Sequence, residues 1–115
     1  MMHTVKKELV VKNKLGLHAR PAALFVQIAN KFESNIAVSK DDQEVNGKSI
    51  MGILMLAAEK DSVIVITAIG KDAQQAVEEL EEIIGIEDID RKFSHRVSGL
   101  SQEEFKERID KVSRK

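Results

Sequence analysis

The chain has 115 residues, of which 43% are hydrophobic and 32% charged, and this size and composition are typical of one compact domain. Its 18 basic and 19 acidic residues leave a formal net charge of −1, which argues against nucleic acid or an anionic membrane surface as an obligate partner. The absence of cysteine excludes a disulfide framework, a zinc–thiolate site and a thiol nucleophile.

The first two predicted elements are a strand and a helix. Apolar residues that alternate loosely with charged ones predict a strand over Val5–Val11, which ends at a loop over Lys12–Gly16. Helical spacing of apolar side chains predicts an amphipathic helix over residues 18–32. The apolar stripe of this helix consists of Phe25, Ile28, Ala29 and Phe32.

A hairpin and a second helix follow. Asn35–Lys40 and Gln43–Val45 are predicted as two short strands joined by a turn at Asp41-Asp42, with a further turn at Asn46-Gly47. The segment Ser49–Ala58 is rich in helix formers and poor in polar residues, so we expect a short and largely buried helix there.

The next elements are a strand and the most regular helix of the chain. Ser62–Ile69 is rich in β-branched residues, which predicts a central strand with both faces at least partly covered. Asp72 is predicted to cap a helix, with Gln75 completing a pair similar to a capping box, and the helix is expected to end at Gly85. The apolar stripe of that helix consists of Ala73, Ala76, Val77, Leu80, Ile83 and Ile84.

The resulting order β-α-β-β-α-β-α favours an α+β fold, with an antiparallel sheet and helices packed on one face. Residues 86–115 are expected to form a C-terminal extension, which begins with a polar stretch. The capping-box pattern Ser101–Glu104 and a narrow apolar stripe predict a helix at about residues 101–113.

The segment Leu15–Ala22 carries the most informative chemistry. His18 is predicted at the N-cap of the first helix, because Pro21 suits the first helical turn. The backbone N–H groups of Ala19 and Arg20, at the positive end of the helix dipole, then form a binding position for an anion. Lys12, Lys14 and Arg20 add a local charge of about +3, and the Arg20 guanidinium suits bidentate phosphate binding.

Histidine in this position suits phosphoryl transfer. An imidazole ring nitrogen at the start of the helix can act as the nucleophile that accepts the phosphoryl group. The alternative interpretation is that His18 is only a polar helix cap beside an exposed arginine.

Leu15–Ala22 resembles the active-site segment of HPr, the histidine phosphocarrier family of the bacterial phosphotransferase system. Lys48–Gly52 is similar to the regulatory serine segment of family members that a serine kinase controls. The resemblance covers about residues 4–85, so we expect residues 1–85 to be an HPr-like domain. It implies an open-faced β-sandwich, with a four-stranded antiparallel sheet under three helices.

The resemblance further implies that His18 takes a phosphoryl group from enzyme I, which phosphoenolpyruvate charges, and passes it to a sugar-specific enzyme IIA. Arg20 would steady the phosphoryl group, with the amide of Ala19 beside it. Such a protein is a phosphotransfer intermediate rather than a stand-alone enzyme, and we expect no cofactor and no metal.

The resemblance implies a regulatory role for Ser49, since a phosphoserine ester stores a signal instead of passing the group on. A serine kinase/phosphorylase and a transcriptional regulator are the corresponding partners, and the alternative interpretation of Ser49 is a plain N-cap. Two phosphates about 10 Å apart would repel by roughly 1–2 kcal/mol before screening.

An adaptable apolar patch beside these positions is the expected docking surface for partners. Met51 is expected to be exposed, whereas Leu54 and Met55 fit a core position equally well. The expected docking residues are Ala23, Ile50, Met51 and Leu54, with Met55 adjoining them.

Three other functions remain open. One is an HPr-like regulatory adaptor that Ser49 phosphorylation controls, with little role in sugar uptake. Another is an acylphosphatase-like hydrolase, although such folds end in a strand, and RNA binding is disfavoured because the chain has 4 Phe and no Tyr or Trp. Met1–Val11 lacks a signal-peptide run and Ser49–Ala58 is too short to span a bilayer, so we expect a cytoplasmic protein without membrane insertion.

Overall fold

The computed structural model describes residues 3–89, and these form seven elements in the predicted order β-α-β-β-α-β-α. The strands are β1 (His3–Val10), β2 (Asn35–Lys40), β3 (Gln43–Asn46) and β4 (Val63–Gly70). The helices are α1 (Ala19–Ala29), α2 (Ile50–Leu56) and α3 (Ala73–Ile84).

The strands pair in the order β1-β4-β2-β3, and every neighbouring pair is antiparallel. β4 is therefore central, as predicted, and its inward side chains Ile64 and Ile66 are fully buried under the helices. Its outward side chains alternate with these, and Val63 and Ile69 are exposed. Both faces were predicted to be at least partly covered, and outward Val65 and Thr67 are half-buried, although the helices cover only the inward face of this open-faced sheet.

α1 and α3 cover the sheet with apolar stripes that follow helical periodicity. All six predicted stripe residues of α3 are buried, and the helix ends at Gly85 as predicted. α1 is shorter than predicted, because the helix ends at Ala29 and Asn30 caps it. Phe32 lies beyond the helix and still reaches the core, where it is 7% exposed.

Asp72 occupies the predicted N-cap position of α3, but the predicted capping box with Gln75 is wrong. The Asp72 carboxylate makes no capping hydrogen bond; it accepts instead from the backbone N–H of Glu33 at 2.9 Å and of Ser34 at 3.0 Å, and from the Ser34 hydroxyl. Gln75 donates to Glu79 within α3. Asp72 thus joins the start of α3 to the start of β2.

α2 differs most from its prediction. Only Ile53 and Leu56 of this helix are buried, so the expectation of a largely buried helix is wrong. The helix lies at the edge of the helical layer, where it contacts α1, β2 and β3. The side chains on its other face are exposed to solvent.

The packed unit continues past Gly85. Ile86 and Ile89 are 7% and 5% exposed and pack with Ile83, against Leu24 and Ile28 of α1. The helix predicted at about residues 101–113 lies outside the described residues. Within residues 3–89, no helix has the length and apolar character needed to cross a membrane.

Candidate functional site

His18 lies immediately before α1, at the predicted N-cap position, with an extended backbone conformation. Its carbonyl accepts the first hydrogen bond of the helical ladder, from the Ala22 N–H at 3.0 Å. The imidazole is exposed and makes no capping hydrogen bond. His18 therefore does not act as a side-chain cap, and its ring faces solvent, where a second protein has access to it.

The first turn of α1 supplies the electrostatic environment of this imidazole. Ala19 and Arg20 precede Ala22, so their amides lie in the turn whose N–H groups point out of the helix start. Pro21 is buried within the same turn, where the missing N–H of a proline costs no helical hydrogen bond. Lys12 and Lys14 are exposed in the preceding loop and Arg20 is half-buried, so the positive charges predicted around His18 belong to one loop and one helix start.

Gly16 allows the loop to approach the rest of the protein closely. Its φ of +75° lies in the left-handed region that favours glycine. A Cβ atom at this position would lie 2.5 Å from the carbonyl oxygen of Ala58 and 2.9 Å from Cα of Glu59. Any side chain here would push the loop, and with it His18, away from the segment that follows α2.

α1 and α2 run antiparallel, and this arrangement separates His18 from Ser49. At the C-terminal end of α1, the Asn30 side chain donates to the carbonyl of Lys48 at 3.2 Å, and Lys48 Nζ donates to the carbonyl of Phe32 at 2.7 Å. At the opposite end, the Leu17 amide donates to the carbonyl of Ala58 at 2.8 Å. The start of α2 thus adjoins the end of α1 that lies farthest from His18.

Because Ser49 follows Lys48, which Asn30 contacts at the far end of α1, the length of this helix gives the order of magnitude of the separation between the two positions. This helix has 11 residues, which span about 16 Å at the usual rise per residue. The repulsion of roughly 1–2 kcal/mol applies to phosphates about 10 Å apart and is smaller at a greater separation. At about 16 Å, unit charges repel by about 1 kcal/mol at an effective dielectric of 20 before screening, and this distance is about twice the physiological Debye length.

Ser49 is the N-cap of α2, and its Oγ accepts a hydrogen bond from the Gly52 amide at 3.1 Å. The side chain is half-buried and the cap is formed in the unmodified protein. The alternative interpretation, that Ser49 is the N-cap of α2, is thus confirmed. A capping role does not exclude modification, because the start of a helix tolerates the negative charge of a phosphate.

An apolar surface extends along α2 toward the His18 loop. Met51 is 65% exposed, which agrees with its expected exposure, and Met55 is 64% exposed rather than part of the core. The expected docking residues Ile50 and Leu54 are each 37% exposed. Ala23, on α1, is half-buried.

Sequence reasoning missed Leu15 as a surface residue. Its side chain is 73% exposed in the loop directly before Gly16. An apolar residue between a lysine and a glycine in a predicted loop is the signal that marks it, because such a residue has no regular element to pack against. We use the name α2 patch for Leu15, Ile50, Met51, Leu54 and Met55.

Comparison with known families identifies the segment that contains His18. A family profile described as "PTS HPr component phosphorylation site" matches residues 5–85. These residues include all of α1, α2 and α3 and the loop between β1 and α1.

Individual proteins show the same similarity. The HPr-like protein Crh of Halalkalibacterium halodurans is 53% identical over 76 residues, which cover 66% of this chain and 90% of that protein. The crystal structure of the phosphocarrier protein HPr from Bacillus anthracis superimposes with a TM-score of 0.69 at 51% identity, covering 70% of this chain and 96% of that one. The solution structure of Crh, the Bacillus subtilis catabolite repression HPr, gives a TM-score of 0.57 at 44% identity, covering 72% and 99%.

Proposed function

Because the chain belongs to the HPr family and is an HPr-type phosphocarrier of the phosphotransferase system, we propose that His18 is the residue that carries the phosphoryl group. The observation that supports this assignment is the exposed imidazole at the start of α1, within the segment that matches the family's phosphorylation-site profile. Enzyme I is the proposed donor and a sugar-specific enzyme IIA is the proposed acceptor.

The proposed transfer has two steps. A ring nitrogen of His18 attacks the phosphorus atom of the group carried by enzyme I, a new N–P bond forms, and the bond to enzyme I breaks. In the second step a nucleophile of enzyme IIA attacks the same phosphorus, and the imidazole of His18 leaves. The protein is unchanged after both steps, which makes it a carrier between two enzymes rather than an enzyme with its own product.

The residues next to His18 have the proposed role of stabilising charge. During transfer, negative charge spreads over the oxygen atoms of the phosphoryl group. The amides of Ala19 and Arg20 and the guanidinium of Arg20 are the groups we assign to those oxygens, because they share the first turn of the helix that begins after His18. Because the imidazole is exposed, both partners reach it without any opening of the protein.

We assign partner docking to the α2 patch together with Ala23. Exposed methionine side chains adapt to different partner surfaces, which suits a protein that must bind an enzyme I and an enzyme IIA in turn. Leu15 of this patch is three residues from His18 in the sequence, so a partner that covers it brings its own active site close to the imidazole.

Ser49 is the proposed regulatory phosphorylation site, with a serine kinase and a transcriptional regulator as partners. Its position beside Ile50 and Met51 places a new phosphate at the edge of the α2 patch. Because direct repulsion across about 16 Å is weak after screening, the antagonism we propose acts through docking. A phosphate on Ser49 adds charge to the apolar surface that enzyme I must cover.

The second candidate function is that of an adaptor that Ser49 phosphorylation controls, with little or no role in sugar uptake. The observation that favours it is the 53% identity to an HPr-like protein Crh, together with the match to a protein named catabolite repression HPr. His18 favours the carrier function over this one, because a pure adaptor has no use for an exposed imidazole at the start of α1.

One experiment separates the two functions. The full chain is incubated with phosphoenolpyruvate and enzyme I, and mass spectrometry locates any acid-labile phosphate. The carrier function predicts phosphate on His18 that the His18→Ala variant cannot accept, whereas His3→Ala, which removes the exposed histidine of β1, accepts it normally. A chain that takes up no acid-labile phosphate but is phosphorylated on Ser49 by a serine kinase is an adaptor instead.

A further inference from the structure

Asn13 is a buried polar residue in the loop that leads to His18. Its side chain is 1% exposed, and Nδ2 donates to the carbonyl of Ile83 at 2.9 Å and to the carbonyl of Ile86 at 2.7 Å. Carbonyls near the C-terminal end of a helix need partners from outside the helix, and Asn13 donates to one in the last turn of α3 and to one just beyond it. A buried amide that loses such bonds leaves polar groups without partners, which is strongly unfavourable.

The backbone on each side of Asn13 makes the same connection. The Lys12 amide donates to the carbonyl of Ile84 at 3.0 Å, and the Lys14 amide donates to the carbonyl of Glu87 at 2.7 Å. Three successive residues of the loop are therefore bound to residues 83–87. The loop cannot shift relative to the end of α3 without breaking these four hydrogen bonds together.

A short segment transmits this anchorage to His18. Four residues separate Asn13 from His18, and the Gly16 amide donates to the carbonyl of Asn13 at 2.9 Å, which closes a turn between them. The Leu17 amide is then bound to the carbonyl of Ala58. His18 thus follows a loop that is held on one side by the end of α3 and on the other by the end of α2.

Residues 86–89 also contact α1, the helix that follows His18. Ile86 and Ile89 pack with Ile83 against Leu24 and Ile28, which belong to α1, the helix that begins directly after His18. The same short segment therefore contacts both the loop before His18 and the helix after it.

We propose that Asn13 is a positioning residue for phosphoryl transfer at His18, and that residues 86–89 are the support against which it acts. This inference rests on the proposed role of His18 as the phosphoryl carrier. The amides of Ala19 and Arg20 stabilise the transferred group only when the imidazole is held in the right place over the helix start. Displacements of about 1 Å in such a site cost up to about a hundredfold in rate.

The test measures phosphorylation of the full chain by enzyme I at several concentrations of the carrier. Asn13→Ala is expected to lower kcat about tenfold and to change KM by less than twofold, because the variant docks normally but presents its imidazole poorly. Asn30→Ala is the matched control: it also removes two side-chain hydrogen bonds, to the carbonyls of Val26 and Lys48, but at the far end of α1. Its kcat and KM are expected to equal those of the unchanged protein.

A second variant perturbs the same support while keeping the backbone carbonyl that Asn13 contacts. Ile86→Ala removes apolar contacts on the other side of the connection and is expected to lower kcat several-fold at constant KM. If circular dichroism shows that Asn13→Ala does not fold, Ile86→Ala alone tests the proposal. A folded Asn13→Ala or Ile86→Ala variant with the kcat of the unchanged protein, or an equal loss of kcat in Asn30→Ala, overturns the positioning role. If the unchanged protein itself accepts no phosphoryl group from an active enzyme I, the proposed function fails as well, and the two failures are thereby distinguished.

Discussion

The amide of Leu17 donates a 2.8 Å hydrogen bond to the carbonyl of Ala58, which joins the residue before His18 to the chain just beyond α2. This contact brings the start of α1 next to α2, whose outer surface is apolar. The two ends of that surface carry different chemistry, since His18 lies near the C-terminal end of α2 and Ser49 at its N-terminal end. We therefore expect a partner that docks on α2 to be affected by changes at either position.

Gly16→Ala is expected to loosen this connection. The new Cβ atom would lie 2.5 Å from the Ala58 carbonyl oxygen, at a residue whose φ is +75°. We expect the free energy of unfolding to fall by about 1–3 kcal/mol and phosphorylation of His18 to slow. Urea unfolding followed by circular dichroism measures the first effect, because the chain has no Trp or Tyr, and the initial rate with enzyme I measures the second.

Gly85→Ala is the matched control for that variant. Gly85 has a right-handed backbone conformation, and a Cβ atom there would come no closer than 3.4 Å to the contacts around it. We expect its stability and its phosphorylation rate to remain close to those of the unchanged protein. If the two alanine variants have the same stability and the same phosphorylation rate, the close approach at Gly16 affects neither property.

Replacement of the exposed methionines of α2 is expected to weaken docking and leave the chemistry intact. Gln has nearly the same length and helix propensity as Met but is polar, so the double variant Met51→Gln, Met55→Gln changes the surface without disturbing the helix. We expect KM for the pair with enzyme I to rise about tenfold, equivalent to about 1.4 kcal/mol of binding, with kcat changed by less than twofold.

The control for the methionine variant lies on the opposite side of the molecule. Val63 is 46% exposed on the open face of the sheet, away from the helices. Val63→Gln is expected to leave KM unchanged. A rise in KM for Val63→Gln of the same size as for the α2 variant would place docking elsewhere than on the α2 patch.

Ser49 allows the capping role and the proposed regulatory role to be separated by substitution. Ser49→Ala removes the acceptor of the Gly52 amide and is expected to lower the free energy of unfolding by about 1 kcal/mol. Ser49→Asn and Ser49→Asp both keep a capping oxygen, and both are expected to be more stable than the alanine variant. Only Ser49→Asp adds negative charge beside the α2 patch, so only it is expected to raise KM with enzyme I.

Steady-state phosphorylation assays with the three Ser49 variants check this expectation. Ser49→Asn is the matched control, because it has the shape of the aspartate variant without its charge. If the two variants give the same KM, charge at this position does not influence docking, and the proposed regulation through docking is wrong.

Local patterns in the sequence were sufficient to predict most of the fold. Helical periodicity predicted every buried residue of α3, because a stripe that must pack on a sheet repeats regularly along the helix. β2 was predicted with its observed bounds, because polar residues mark both of its ends. The N-cap position of His18 is predicted from Pro21, because a helix tolerates proline only in its first turn.

The wrong predictions concern contacts between residues that are distant in the sequence. Asp72 is bound to Ser34, which lies 38 positions earlier, so a local capping rule could not identify its partner. The sequence leaves Met55 as a core candidate, because its apolar character says nothing about whether a neighbouring element covers it. The exposure of Met55 follows from the edge position of α2, which depends on how three other elements pack.

Asp72 makes the stability of the fold dependent on pH. The hydrogen bond from the Ser34 hydroxyl, followed by that from the Glu33 amide, lowers the pKa of the Asp72 carboxyl below its ordinary value of 3.8. A carboxyl whose pKa is lower in the folded than in the unfolded state contributes stability above the unfolded pKa. This contribution is lost as the pH falls through the folded pKa.

Asp72→Asn is therefore expected to lower the urea midpoint at pH 7 and to have a progressively smaller effect as the pH falls from about 4 towards 2. The asparagine side chain offers one acceptor where the carboxylate offers two, so the amides of Glu33 and Ser34 and the Ser34 hydroxyl cannot all be satisfied. Urea unfolding measured by circular dichroism between pH 2 and pH 7 gives both curves. Asp42→Asn removes the same charge from the exposed turn between β2 and β3 and separates this local effect from the change in net charge. An Asp72→Asn curve that stays parallel to that of the unchanged protein down to pH 2 would show that the link between α3 and β2 does not depend on the ionised carboxylate.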